Sequence, residues 1–224
     1  MKVEANDILE YSIEMYGTKV DTRPWCVNLF ALEGGNVDLT PNDDRPDAWN
    51  DSSVIITHDN NGVPQFAHIG EATCEPGLSA TFSKQAERLG GVARIAIGFH
   101  EEKWVRGFHK RNMSHPALVQ CVPITCHRDR NKDGKRTGDP VTVDVQGLNW
   151  HGTRANLKPV RVGEWSYACN VRRNWSGAGS HMEFMALCDA DPRYMLNKQF
   201  RYSGTVVDYS RFWKWFERKQ MSEA

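Results

Sequence analysis

The chain has 224 residues, which is enough for one well-buried hydrophobic core. Its 28 Lys and Arg residues balance 28 Asp and Glu residues, so the formal net charge is zero at pH 7. Dedicated nucleic-acid binders usually carry a strong basic excess, and we therefore expect no nucleic-acid partner. The longest apolar run, Val92–Phe99, is interrupted by Arg94 and is too short to cross a bilayer, so we expect no transmembrane segment.

The N-terminus and the cysteines bear on where the protein works. The opening sequence MKVEANDILEYS has no apolar run of the kind that a secretory signal peptide carries. We therefore expect a protein that is cytoplasmic when made and that reaches any extracellular substrate by another route. Six cysteines in a chain of this length, without an export signal, are expected to be reduced thiols.

The predicted elements are mostly short strands separated by turns. Helical periodicity is clear at three places: residues 6–16, 179–190 and 208–219. Alternating apolar residues predict strands at 25–32, at 54–73 as a hairpin, at 93–110 as a pair, and singly at 117–128, 141–152 and 205–210. The expected fold is one mostly β domain, a sandwich or barrel with a few short helices. We expect residues 1–20 to form an N-terminal helical extension and residues 21–224 to form the domain.

The C-terminal segment DYSRFWKWFERKQMSEA combines aromatic and basic residues. Phe212, Trp213 and Phe216 fall near one face of the predicted helix, with basic residues around them. Helices of this kind can lie on a membrane or dock on a partner. Because the segment is short, we expect the aromatic stripe to close the core of the domain itself.

One histidine and one cysteine stand out in the stretch NWHGTRANLKPVRVGEWSYACNV. His151 ends an apolar strand and is followed by Gly152, and Cys169 lies eighteen positions later. Cysteine titrates near pH 8.5, so a nucleophilic cysteine needs a neighbouring base at neutral pH. Small residues before the cysteine allow backbone N–H groups to face a developing oxyanion. From the residues alone, the thiol is either such a nucleophile or an ordinary buried side chain.

The motifs in this region resemble those of the L,D-transpeptidase superfamily. His151-Gly152 followed by Ser166-x-x-Cys169 is similar to that family's histidine-glycine and serine-histidine-glycine-cysteine pattern. A divergent branch from phage and bacteria carries stretches such as TTDPG, GLHKG…PALVQ, RDNDRDGK, GINIHR and WSAGCQV. This chain has, in the same order, ATCEPG, GFHKRNMSHPALVQ, RDRNKDGK, GLNWHG and WSYACNV between positions 72 and 171.

The resemblance implies a mostly β catalytic domain whose cysteine attacks an amide carbonyl in a peptidoglycan stem peptide. It implies that Cys169 is the nucleophile, that His151 is the base, and that Ser166 orients the loop, with no cofactor required. It also implies that backbone N–H groups at Ala168 and Cys169 hold the oxyanion. The acyl-enzyme would pass to an amine in transpeptidation, or to water in L,D-carboxypeptidase or endopeptidase action. Peptidoglycan is the implied partner, together with phage tail proteins if the chain rides in a virion.

The chain departs from the family pattern at several positions. Tyr167 replaces the second histidine and Ala168 replaces a glycine, where an alanine is strained if φ is positive. The family's arginine two places after the cysteine is missing, and Arg172 and Arg173 follow instead, either to bind a substrate carboxylate or as solvated loop charges. His109 is a further candidate for the substrate groove. With these changes, a non-catalytic structural or wall-binding component of a phage particle is the alternative function.

The stretch RDRNKDGKRTGD resembles the first half of an EF-hand calcium loop. Asp129, Asn131, Asp133 and Gly134 occupy the first, third, fifth and sixth positions. The glutamate expected at the twelfth position is missing, and Asp139 next to that position is an imperfect substitute. A polar β-turn is the simpler interpretation, and a structural Ca²⁺ ion is the alternative.

Overall fold

The computed structural model is a mostly β protein, as the sequence predicts. It describes residues 2–111, 113–144, 147–155 and 157–223. Eight strands form a closed barrel in the order β1-β11-β5-β6-β9-β10-β3-β2, and three more form a small sheet in the order β4-β7-β8. The strands are β1 (Asn28–Glu33), β2 (Asp51–His58), β3 (Pro64–Thr73), β4 (Val92–Ile95), β5 (Gly98–Phe108), β6 (Pro116–Gln120), β7 (Ile124–Asp129), β8 (Val141–Asp144), β9 (Trp150–Gly152), β10 (Asn170–Arg172) and β11 (Arg201–Asp208).

Helices connect and cover the strands. They are α1 (Ala5–Tyr16), α2 (Leu78–Thr81), α3 (Lys84–Leu89), α4 (His181–Ala190), α5 (Pro192–Leu196) and α6 (Tyr209–Glu223). The three helices that the periodicity predicts are α1, α4 and α6. Within the described ranges, no helix is long and apolar enough to cross a membrane.

Two parallel strand pairs close the barrel. β1 pairs in parallel with β11, and β10 pairs in parallel with β9, whereas the other neighbouring strands of the barrel run antiparallel. The predicted hairpin is confirmed, since β2 and β3 run antiparallel with His58 opposite Pro64 next to the turn. A closed barrel leaves no exposed sheet edge, so each of its strands satisfies its main-chain groups against two neighbours.

Three predicted strand stretches are divided between the two sheets. The stretch 93–110 contains two strands, but β4 pairs with β7 and β5 pairs with β11 and β6, so the two are not partners. The stretch 117–128 breaks around Pro123, which has no N–H to donate to a ladder. The stretch 141–152 contains β8 and β9 rather than one strand. Periodicity alone cannot show where a chain leaves one sheet for another.

Two large clusters of buried residues support the barrel. One lies inside it, where Trp104 and Trp150 meet edge to face with ring centroids 5.7 Å apart and Phe184 stacks on Trp150. The other lies between the barrel wall and the terminal helices, where the rings of Phe212 and Phe216 are fully buried. The aromatic stripe of α6 therefore packs against the protein's own core, as predicted from the sequence. The six cysteines are all free thiols, which confirms the expectation from the sequence.

The packing of α6 yields a stability prediction. Phe216 is fully buried, so Phe216→Ala leaves a cavity and is expected to lower the free energy of unfolding by about 3–5 kcal/mol. Met221 lies on the same helix with 79% of its surface exposed, so Met221→Ala is expected to change it by less than about 0.5 kcal/mol. Urea titrations of both variants measure the difference. Equal stabilities would contradict the packing of α6.

Candidate functional site

The pairing of β9 with β10 places His151 and Cys169 on the same face of the sheet. In the parallel register, Val171 lies opposite His151, and Cys169 precedes Val171 by two residues. Val171 and His151 share one face, because they are paired directly, and Cys169, the residue before β10, belongs to the same buried cluster as Val171. Trp150 and Arg172 point to the other face, into the barrel. The predicted nucleophile and base therefore lie on the same side of two paired strands.

A pocket opens on the His151 side of these strands. Its volume is about 410 Å³, and three imidazoles form one part of its wall. Charged side chains of both signs surround the imidazoles. The lining residues are His109, Lys110, His115, His151, Arg154, Glu164 and Trp165. A pocket with imidazoles, cations and an anion suits a polar or zwitterionic substrate.

His151 is held as a neutral imidazole. Its Nδ1 lies 2.8 Å from the carbonyl oxygen of Gly152, and a carbonyl can only accept, so Nδ1 carries the proton. Complete burial lowers the pKa of His151 well below its ordinary value, and the nearby ring of His109 lowers it further. The lone pair therefore resides on Nε2, the nitrogen that a general base would use.

His109 and His115 pack around His151. The rings of His109 and His151 stack with centroids 3.8 Å apart, and Asn149 Nδ2 donates to Nδ1 of His109 at 3.3 Å. His115 Nε2 donates to the Gly152 carbonyl oxygen at 2.9 Å, so that one oxygen accepts from two imidazoles. Burial lowers the pKa of His109 to about 4 and also lowers the pKa of His115. The three rings are thus neutral at pH 7.

Cys169 is a protonated, largely enclosed thiol in this structure. It is 6% exposed, and its Sγ donates to the Gly147 carbonyl oxygen at 2.9 Å. Burial raises the pKa of Cys169 to about 11, although the backbone N–H of Asn149 and the charge of Lys110 act in the opposite direction. Cys169 packs in a small cluster against Trp165, which lines the pocket, so the sulfur lies behind the pocket wall. Both residues are described, and no hydrogen bond joins Cys169 to His151.

The loop before Cys169 is fixed by its main chain. Ser166 is fully buried, and its hydroxyl donates to the Cys169 carbonyl oxygen at 2.9 Å, while its own carbonyl accepts from Gly77 N–H. This geometry is consistent with the loop-orienting role that the resemblance implies. Ala168 has no positive φ, so the strain that an alanine would suffer there does not arise. Tyr167 packs beside α3 on another small cluster of buried residues.

The two candidate arginines lie outside the pocket. Arg172 is completely buried, donates to Ser53 Oγ at 2.9 Å and to His181 Nδ1 at 3.1 Å, and packs on the ring of Phe184. Arg173 forms an ion pair with Glu71 at 2.8 Å. Strand alternation explains why Arg172 is buried. The arginine of the family's motif corresponds to Val171, which shares a face with His151, whereas Arg172 is the next residue and points to the opposite face.

The His181 side chain packs so closely on the backbone of Gly152 that only glycine fits there. A Cβ on Gly152 would lie 2.5 Å from the Cβ and Cγ atoms of His181, a distance that side chains do not reach. His181 begins α4, and its Nε2 donates to the Pro116 carbonyl oxygen at 2.6 Å. The glycine after the base therefore lets α4 pack directly on β9.

Several pocket residues carry no signal in the sequence. Lys110, Arg154 and Glu164 line the pocket, although no residue pattern in the sequence marks them as site residues. Asn149, two residues before His151, contacts His109 only because the fold brings these two segments together. The residues of the calcium hypothesis lie away from this pocket: Asp129 ends β7, and Asn131 and Asp133 lie between β7 and β8.

Comparisons of the chain with protein-family models, with curated proteins and with solved structures give no match. The protein is a closed, mostly β barrel with a histidine-lined pocket in front of a buried cysteine.

The neutral imidazoles predict a pH dependence of stability. An unfolded histidine binds a proton near pH 6.5, whereas folded His109 does so only near pH 4. Between these values the unfolded chain binds more protons, so the free energy of unfolding falls as the pH is lowered. His109→Gln removes this contribution and is expected to make the decrease between about pH 6.5 and 4.5 shallower. Urea titrations across this pH range measure the free energy of unfolding of both proteins. The same pH dependence in the wild type and His109→Gln would contradict the prediction.

Proposed function

We propose that the protein is a cysteine-dependent enzyme of peptidoglycan stem peptides, an L,D-transpeptidase or L,D-peptidase with an L,D-transpeptidase-type domain. The observation that carries this proposal is the shared strand face of His151 and Cys169, with the neutral His151 ring lining a pocket. The ordered motif resemblance between residues 72 and 171 adds the reaction class and the substrate.

The proposed reaction proceeds through a thioester on Cys169. As Sγ attacks the stem-peptide carbonyl carbon, Nε2 of His151 takes the thiol proton and passes it to the leaving amine of D-alanine. Backbone N–H groups at Ala168 and Cys169 face the oxyanion. An amine or water then attacks the thioester, giving a cross-linked or a hydrolysed peptide and restoring the thiol.

The free protein is proposed to be a resting state. The pKa of Cys169 is about 11 and that of His151 lies well below its ordinary value, so the proton stays on sulfur until a substrate is bound. A substrate entering beside Trp165 has to displace this wall to reach the sulfur, and doing so replaces the contact of the thiol with Gly147. Activation in this scheme is coupled to binding.

Charges around the pocket suit the ends of a stem peptide. Lys110 and Arg154 are exposed cations that can attract a carboxylate, and Glu164 is an exposed anion that can attract an amine. These residues take the place of Arg172 and Arg173 in the proposed recognition. Delivery in a virion, or release to the cell wall, would bring the protein to this substrate.

A non-catalytic component of a phage particle is the second candidate. The enclosed thiol of Cys169 favours it, because a catalytic sulfur has to be reached by its substrate. Such a protein would keep the pocket as a binding site for wall peptide without forming a thioester.

Acylation and turnover distinguish the two functions. The wild-type chain is incubated with a diaminopimelate-containing stem tetrapeptide and, separately, with a carbapenem, and intact-mass and peptide-mass spectrometry follow D-alanine release and thioester formation. We expect turnover and an adduct on Cys169, with neither in Cys169→Ala. Loss of the base in His151→Gln is expected to slow both by about 10²–10⁴-fold.

Cys121→Ala is the matched control, because Cys121 is exposed and does not line the pocket. Its turnover should equal that of the wild type. Equal product from Cys169→Ala and wild type would overturn the mechanism. Tetrapeptide binding to the wild type without adduct or turnover would establish the non-catalytic alternative.

A further inference from the structure

The side chain of Asn149 is held in one orientation by the end of β6. Asn149 is buried, and its side-chain Oδ1 accepts from the main-chain N–H of Gln120 at 2.9 Å. The side-chain Oε1 of Gln120 in turn accepts from Leu148 N–H, also at 2.9 Å. A main-chain N–H can only donate, so the atom of the Asn149 amide that faces Gln120 has to be its oxygen. The amide nitrogen Nδ2 therefore faces the other way, towards the ring of His109.

This orientation fixes the nitrogen on which His109 carries its proton. Asn149 Nδ2 lies 3.3 Å from Nδ1 of His109, and an amide NH₂ group can only donate, so Nδ1 is the acceptor. A neutral imidazole has one N–H group, which is therefore on Nε2. Within the part of the chain that the structure describes, Nε2 of His109 has no hydrogen-bond partner. His109 is half-buried and lines the pocket, so this N–H remains available to a bound molecule.

His109 and His151 stack with ring centroids 3.8 Å apart, but they hold their protons on different nitrogens. The Gly152 carbonyl oxygen keeps the proton of His151 on Nδ1 and leaves a lone pair on Nε2. The pocket therefore offers an N–H donor on the ring that stacks against the proposed base. Because His109 is neutral, it supplies this donor without the positive charge that would weaken the neighbouring base.

We propose that Nε2–H of His109 donates a hydrogen bond to the substrate carbonyl oxygen as Cys169 attacks the carbonyl carbon, and that Asn149 positions this donor. This role of His109 rests on the proposed function. A base that takes the thiol proton has to lie beside the reacting carbonyl group, and the ring of His109 contacts the ring of that base. Neutral imidazoles can polarise a carbonyl oxygen through their N–H group. The proton stays on His109, while His151 carries the thiol proton to the leaving amine.

The hydrogen bond from His109 is expected to act on the reaction rate and not on substrate affinity. Negative charge builds up on the carbonyl oxygen only as the thioester forms, so the donor stabilises the transition state more than the bound substrate. The charged ends of the peptide have other partners, because Lys110, Arg154 and Glu164 line the same pocket.

Nitrogen NMR of the histidine rings tests the tautomer of His109 without any substrate. In the full chain labelled with ¹⁵N-histidine at pH 8, long-range proton–nitrogen spectra distinguish a protonated ring nitrogen from an unprotonated one. The signals are assigned by comparison with His109→Phe and His151→Gln. The proton should be on Nε2 in His109 and on Nδ1 in His151. A proton on Nδ1 of His109 would overturn the proposal.

Asn149→Asp tests whether Asn149 sets this tautomer. The aspartate keeps an acceptor for Gln120 N–H but replaces the NH₂ donor with an acceptor, so the proton of His109 should move to Nδ1. Asn60→Asp is the matched control, because Asn60 is exposed and its Oδ1 accepts from Trp25 Nε1, an interaction that aspartate keeps. It should leave the His109 signals unchanged. An unchanged tautomer in Asn149→Asp would overturn the positioning role.

Steady-state turnover of the stem tetrapeptide tests the role of the donor in catalysis. His109→Phe keeps a ring that can stack on His151 but has no N–H, and it is expected to lower kcat by about 10²–10³-fold with little change in KM. His109→Gln keeps an N–H donor and should turn over faster than His109→Phe. Asn149→Asp should lower kcat in the otherwise wild-type chain but cause little further loss in His109→Phe, because it acts through His109.

The outcomes separate this role from the proposed function. No turnover by the wild type would overturn the proposed function, and the role of His109 with it. If the wild type turns over the tetrapeptide, equal kcat values in wild type and His109→Phe would overturn the role of His109 alone. An effect of His109→Phe confined to KM, or equal kcat values in His109→Gln and His109→Phe, would also overturn it. Additive losses in the double variant would overturn the role of Asn149.

Discussion

The parallel pairing of β9 with β10 is the constraint on which the site depends. It helps to close the barrel, and its register decides which side chains face the pocket and which face the core. A shift of one residue would turn His151 and Cys169 inward and bring Trp150 and Arg172 out to the surface. Because Trp150 packs inside the barrel with Trp104 and Phe184, burial of the large rings fixes the register. The apolar core thus positions the polar site.

The Gly152 carbonyl oxygen orients two of the imidazoles that line the pocket. It accepts from both His151 and His115, and this fixes the tautomers of two rings with one oxygen. The pKa values of both rings are lowered, because a protonated imidazole at either position would be buried away from water. A base kept neutral in this way is ready to accept a proton at pH 7, but it is a weak base. The site therefore favours proton transfer only when a substrate supplies compensating interactions.

The sequence predicts local elements well and their partners poorly. Alternation and turn residues are enough for the β2–β3 hairpin, because its two strands are adjacent in the chain. They are not enough for β4 and β5, which are adjacent in sequence but belong to different sheets. The same limit applies to the site. Spacing suggests His151 and Cys169, whereas the enclosure of the sulfur and the inward direction of Arg172 follow from packing and strand parity. The hydrogen bond between Asn149 and His109 could not be predicted from the sequence, because the two residues are 40 positions apart.

Arg172 connects the interior of the barrel to the pocket. Burial lowers its pKa to about 9, so it is still charged at pH 7, with the face of Phe184 beneath the guanidinium. Burying such a charge is costly, and one of its nitrogens has no partner. The pKa of His181 is lowered most by its own burial and next most by the charge of Arg172. Arg172 Nε also donates a hydrogen bond to His181 Nδ1. A neutral His181 with Nδ1 as acceptor must hold its proton on Nε2, which bonds to Pro116. That ring lies against Gly152, so the barrel's buried cation helps to hold in place the residue whose carbonyl orients His151.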